Sequence, residues 1–323
     1  MNARGRALLA VSVAAAVLVT VVTTFVLLWV EPKLSKAEAI KTGGLAGGAV
    51  VALYALWLND RRRRTEEARH ELESDKVADE RFARAVEMLG NEADQVRVGA
   101  MHALAGLARS TPRYKQTVLD VLCAYLRRPF EHPAYEELPE DPDQALHRNP
   151  NSGKKPTPEE DRERTVRLTA QRLITDLLPW GQDTDPVLYH LDLTGADVEY
   201  FRLEGRRVGR LTARRTRFHG ITAFHEVRFG KPALFSGGHF KGRVDFRRAQ
   251  FAGGLSLQDV RFDRRMEVKG AQVGLFLHLP PAPPPQLLGA LELLPETRVK
   301  EDPTGWELTG RERATFQDHV EQD

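Results

Sequence analysis

Cysteine is nearly absent: Cys123 is the only one among 323 residues. No internal disulfide can form, so packing must hold the fold, and this usage agrees with a reducing compartment. Cys123 lies in the apolar stretch Val118 to Leu126 and reads as a small buried hydrophobe. The motifs of nucleotide and covalent chemistry are missing as well. There is no G-x-G-x-x-G after a strand pattern, no Walker loop, no G-x-S-x-G and no C-x-x-C. His70-Glu71 lacks a second His at the metalloprotease spacing, and the ten histidines are scattered. His219, His225 and His239 have no acid or Cys at a ligand spacing and read as surface histidines. The sequence therefore implies no cofactor and no metal and points away from an enzyme. Catalytic pairs assembled from distant residues are the enzyme reading that remains.

Long apolar runs are present, and they sit at the N-terminus. Ala7 to Val30 holds 24 residues without a charge, and Thr42 to Leu58 holds 17. A bilayer-crossing helix needs about 20 apolar residues, so both qualify, the second at the short end. The first run exceeds the apolar region of a cleaved signal peptide and ends in bulky residues from Phe25 to Val30. Gly43/Gly47 and Gly44/Gly48 form overlapping small-xxx-small pairs that would let the second helix approach the first. Arg4 and Arg6 precede the first span and Arg61, Arg62, Arg63 and Arg64 follow the second, while the connection holds only Lys33, Lys36 and Lys41. The excess of Arg at the two ends predicts a helical hairpin over residues 1–60, multi-pass in the cell membrane, with the bulk of the chain cytoplasmic. The Arg quartet also suits anionic head groups.

Between residues 61 and 130 the pattern is helical. A charged juxtamembrane stretch leads into Glu80 to Leu89, with Phe82, Val86 and Leu89 on one face. Asp94 to Ala108 follows, with Val96, Ala100, Ala103, Leu104 and Leu107 inward, and then a helix from Thr111-Pro112 to about Arg128. Residues 131–156 are Pro-rich and without period, and read as a disordered linker. Thr157-Pro158-Glu159-Glu160 is a capping box that opens a helix to Leu178, with Val166, Leu168, Leu173, Ile174 and Leu177 apolar.

The strongest signal comes last. From Phe218 a large apolar residue returns on alternating steps of six and five: Phe218, Phe224, Phe229, Phe235, Phe240, Phe246, Phe251, Leu257, Phe262, Val268, Val273 and Leu279. Upstream the step is five, through Leu193, Val198, Leu203, Val208 and Ala213. Two places before each anchor sits a small or aliphatic residue, broken once by Arg206, so each unit reads in, out, in, a short strand. A fixed short period marks a solenoid, here a parallel β-helix over residues 188–279. The Phe rows are core stacking rather than a ligand box.

Leu191-Asp192-Leu193-Thr194-Gly195-Ala196-Asp197-Val198 resembles the pentapeptide-repeat family, whose unit is roughly Ala-(Asp/Asn)-Leu-x-x. The resemblance implies a right-handed quadrilateral β-helix, with the six-residue units making wider corners. The stretch from Arg81 to Gly90, with Arg97 to Leu104, is similar to the helical region of membrane-anchored actinobacterial pentapeptide-repeat proteins and to a short HEAT-type unit. Residues 280–323 read as a Pro-rich, acidic tail, with a polyproline spacer at Pro280 to Pro285.

Charge is segregated. From Pro186 to Leu279 there are 14 Arg and 3 Lys against 9 Asp and Glu, a net of +8. Some pentapeptide-repeat proteins mimic DNA with an acidic rod, and the positive sign here argues against that role. Arg214, Arg215, Arg247, Arg248, Arg264 and Arg265, with the Arg61–Arg64 quartet, are the candidates for an anionic surface such as lipid. Arg without interleaved outward aromatics points away from nucleic acid. The expectation is a membrane-integral, non-catalytic interaction scaffold for a protein partner, with electrostatic binding of anionic lipid or nucleic acid through the Arg-rich β-helix as the alternative and an enzyme with an unrecognised site as the second.

Overall fold

The computed structural model describes residues 3–30, 36–136, 138–139, 155–184, 187–300 and 304–310. The chain divides into two units, 1–77 and 78–323.

In the first unit the uncharged runs form α1 (Ala3–Val30) and much of α2 (Lys36–Met88). The apolar side chains stay outward: Val17, Val21, Phe25, Leu45, Leu53 and Leu56 are all more than half exposed. The helices meet where side chains are small. Ala16 is buried, and a Cβ on Gly47 would overlap Thr20 and press on the Ala16 carbonyl. Gly44 and Gly48 face open space. Among the described residues one helical stretch, Ile40–Arg61, is long and apolar enough to cross a membrane, and α1 holds a shorter apolar stretch, Val13–Val26. The side chains of Arg4, Arg6 and Arg62 lie outside the described residues.

In the second unit, α3 (Asp94–Ser110), α4 (Lys115–Leu126) and α5 (Pro158–Leu177) pack together with the C-terminal end of α2. Ala100, Met101, Leu104, Val118, Leu119, Leu122, Val166 and Ile174 form their core. Three positions expected inward are not: Val86 and Leu168 are each 37% exposed, and Ala103 is exposed, while Met101, Ala105 and Ala108 fill the space instead. The capping box forms in full, with Thr157 accepting from the Glu160 N–H and Glu160 accepting from the Thr157 N–H. One charged cluster lies inside this bundle. Glu163 accepts from Arg97, Tyr125 and Arg167, and Arg167 also donates to the Leu126 and Arg128 carbonyls and stacks on Phe130. Every charge there has a partner, which is what makes its burial tolerable.

The repeat builds a four-sided solenoid of parallel sheets. In chain order the first side starts at Leu191–Asp192, the second at Asp197–Glu199, the third at a bridge from Arg202 to Ala223, and the fourth at Arg207–Val208. Register fixes the coil length. Val198 pairs with Phe218, 20 residues on, and Phe218 with Phe240, 22 on, so four steps of five and six make one turn. Like therefore stacks on like. Phe218, Phe240 and Phe262 form one column at 4.4 and 5.3 Å, and Phe229 and Phe251 another at 5.2 Å. The repeat-core residues from Leu193 to Val273 are all buried. Five-residue corners are tight turns. The residue two past the anchor is left-handed (Arg215, Glu226, Arg248, Asp259), and after Glu226, Arg248 and Asp259 the next N–H closes on the anchor carbonyl.

Helices cover the open N-terminal end of this stack, where strand N–H and C=O groups have no preceding coil. Gln116 does so as a strand would, donating to the His190 carbonyl at 2.9 Å and accepting from its N–H at 2.8 Å. Gln171 accepts from the Glu199 N–H at 2.9 Å, and Thr175 donates to the Arg202 carbonyl. Arg206, the one break in the small inner positions, stacks on Trp180 at 3.8 Å and donates to the Leu178 carbonyl.

Two expected boundaries move. The stack does not stop at Leu279. Leu287–Leu288, Leu291–Leu293, Arg298–Lys300 and Leu308–Thr309 continue three of the sheets, so these segments are solenoid rather than tail. The prolines from Pro280 to Pro285 occupy the place of the next second-side strand. Lacking N–H donors, they end that sheet at Arg261–Phe262. The expected linker also begins as structure: Pro133–Glu136 is a short 3-10 turn with His132 and Tyr135 buried. Residues 140–154 and 311–323 lie outside the described residues.

Candidate functional site

The outward positions are set by the coil period, so charges 20 or 22 residues apart become neighbours. On the second side Asp197 receives both Arg217 (2.7 and 2.6 Å) and His219 Nε2 (2.7 Å). Tyr135 lies flat on the His219 ring, centroids 4.0 Å apart, and Arg164 forms a two-pronged pair with Glu199. His219, read from sequence as a surface residue, is thus only 2% exposed. Its burial follows from the 3-10 turn folding over it, which the aperiodic Pro-rich segment gave no reason to expect. The period itself carried the remaining signal, since it aligns Asp197 with Arg217.

The electrostatics of this cluster are self-consistent. Burial alone would raise the Asp197 carboxyl, but the hydrogen bonds from His219 and Arg217 outweigh it and hold the group below the usual carboxylate range. Burial pulls the His219 imidazole down, against the raising effect of Asp197. The pair is therefore a carboxylate accepting from a neutral ring. Asp245 behaves like Asp197: burial is overcome by the side-chain and backbone hydrogen bonds of Arg247, and the carboxyl is lowered. Cys123, 1% exposed, has its thiol pushed up to about 12 by burial and is no nucleophile at neutral pH.

The six solenoid arginines singled out from sequence do not share a face. Arg214 and Arg215 lie at the corner from first to second side, Arg264 and Arg265 at the next corner, and Arg247 and Arg248 at the corner from third to fourth. Nor are they equally available. Arg247 is tied to Asp245 and approaches Glu267, and Arg248 is tied to Glu226. Arg214, Arg215, Arg264 and Arg265 are exposed and reach no carboxylate among the described residues. In the quartet, Arg64 pairs with Asp60 one helical turn away and Arg61 lies over Trp57. The described residues contain no group of three or more His, Cys, Asp or Glu arranged to hold a metal.

The comparisons agree with this geometry. Residues 213–261 match the family model described as pentapeptide repeats, in nine copies. The matched span is the Phe-rich half with alternating steps, not the stretch from Leu191 to Val198 whose letters look most like the family unit. No curated protein and no solved structure matches the chain. Four parallel sheets, stacked Phe columns and the matched span agree: within the β-helix, residues 213–261 are pentapeptide repeats.

Proposed function

We propose that the protein is a membrane-anchored, non-catalytic interaction scaffold, with α1 and α2 crossing the cell membrane as a hairpin and the β-helix presented in the cytoplasm. The observation that carries the anchoring is the outward row of Val, Leu, Phe and Trp along α1 and α2, which soluble chains bury. The solenoid architecture supports a binding role, since stacked repeats offer long regular surfaces. Alkaline carbonate extraction of membranes tests the anchoring, and recovery of the chain in the wash rejects it. Crosslinking in intact membranes tests the scaffold, and a chain that crosslinks to no protein argues against it.

A second reading has its own observation. Arg214, Arg215, Arg264 and Arg265 carry charge that no described carboxylate neutralises. Exposed, unneutralised guanidinium groups suit anionic lipid head groups. Salt-sensitive retention on vesicles containing anionic lipid, absent on neutral ones, is the expected result for that reading.

A further inference from the structure

A cleft of about 790 Å³ opens at the corner between the second and third sides of the solenoid, roofed by Tyr135 and Leu138. The coil period explains why it exists. The corner column runs Tyr200, Gly220, Gly242, Arg264, so two successive coils present no side chain there. A Cβ on Gly220 would strike the Tyr200 ring, and one on Gly242 would overlap the Gly220 carbonyl, so the gap is enforced by packing.

Two cations border the gap. Arg264 is exposed and reaches no carboxylate among the described residues. Lys241 is half-buried, and its Nζ donates to the Tyr135 carbonyl at 3.4 Å, its one hydrogen bond among the described residues. Of the described acids that line it, Asp263 is already engaged by His239 at 2.8 Å and Arg261 at 3.3 Å, and Glu136 lies at the rim. His219 also lines the cleft, and its Nδ1 is enclosed without a hydrogen-bond partner. Because Nε2 is held by the Asp197 carboxylate, Nδ1 carries the lone pair and wants a donor.

From this arrangement we infer that the cleft binds a small hydroxyl-bearing oxyanion of the phosphate-monoester type. Lys241 and Arg264 hold the charged oxygens, and His219 Nδ1 accepts from the hydroxyl. A phosphate hydroxyl of this kind is present both in free phosphate and in the monoester head group of phosphatidic acid. The inference stands apart from the scaffold reading, which is tested through protein partners, and from the open Arg corners.

Isothermal titration of the full-length protein in nonionic detergent tests it, with inorganic phosphate, glycerol phosphate and sulfate at pH 6.5. Phosphate or glycerol phosphate is expected to bind more tightly than sulfate, which has the charge but no donor at that pH. Preference for glycerol phosphate would assign the head group as the source, and preference for inorganic phosphate the free anion. Lys241→Gln and Arg264→Gln are each expected to weaken binding about tenfold, while Arg214→Gln, at another corner, leaves it unchanged. An unchanged thermal melt of each variant confirms that folding is intact. Equal loss in all three variants would reduce the effect to general charge. Absence of binding by the parent protein, or sulfate binding as well as phosphate, overturns the proposal.

Discussion

At the residue scale the solenoid depends on apolar anchors that touch identical residues one coil away. Phe240 lies between Phe218 and Phe262, nearly parallel to both, at interplanar angles of 8° and 6°. Phe240→Ala removes that ring from a site with no room to collapse and is expected to cost about 3–5 kcal/mol, read as a shift in the urea midpoint. Phe251→Asp is harsher, since it places an unpaired carboxylate in a fully enclosed position, and loss of the cooperative melt is expected. A melt unaltered by Phe251→Asp would sink the stacking account. His219 supplies a pH dependence of fixed sign. Its folded value lies below the ordinary one, so the fold prefers the neutral ring. That preference is fully present above about pH 6.5, the unfolded value, and is lost as pH falls from there toward the folded value. The groups facing it are Asp197, Arg217, Lys241 and Tyr135. Thermal midpoints measured from pH 8 to pH 5.5 should fall for the parent, and fall less for His219→Gln. Asp197 acts lower on the same axis, contributing above about pH 3.9 and fading as pH drops through its depressed value.

Elements show where sequence sufficed and where it did not. The five-and-six step defined the coil and its core because each anchor answers only to the residue one turn away, a local rule that survives in a linear text. The rule fails where the chain leaves the lattice and returns. Pro280 to Pro285 shift the phase, so Leu291 and Leu293, which pair with Ala271 and Val273, no longer fall on the running count. Tyr135 was invisible for a related reason: nothing periodic links a 3-10 turn to a ring 84 residues later. The cap was legible as an amphipathic helix but not in its chemistry, because a glutamine that substitutes for a strand edge looks like any polar surface residue. Gln171→Ala leaves the Glu199 N–H enclosed without an acceptor and is expected to cost about 1–3 kcal/mol in urea unfolding, against a few tenths for Gln182→Ala. In the first unit Gly47 is the contact point, so Gly47→Leu should separate α1 from α2. A disulfide engineered between Ala16→Cys and Gly47→Cys would instead form readily on mild oxidation, and slow formation would place the contact elsewhere.

For the whole molecule the decisive quantity is uncompensated charge rather than net charge. The solenoid carries a net of +8 by count, yet Asp197 and Glu226 hold arginine partners that the coil period brings beside them, and Asp245 and Asp263 hold arginines two residues away. A paired guanidinium gives little to a distant polyanion, because its field is largely cancelled at short range and screened beyond about 10 Å in ordinary salt. Arginines at equal density in the sequence should therefore differ in effect. Elution of the full-length chain from heparin in detergent provides the comparison. Replacing Arg214 and Arg215 by Gln should lower the salt needed for elution, and so should replacing Arg264 and Arg265. Replacing Arg247 and Arg248 should lower it less: the freed Asp245 and Glu226 carboxylates make the loss of charge the same, but no guanidinium that was free to contact a sulfate directly is removed. That last substitution exposes the alternative most sharply. If polyanion binding followed total charge, all three double variants would elute alike, and the corner arrangement would be irrelevant to it. If it follows pairing, the order is set by the 22-residue register that places Arg248 beside Glu226, while Arg264 and Arg265 reach no carboxylate among the described residues.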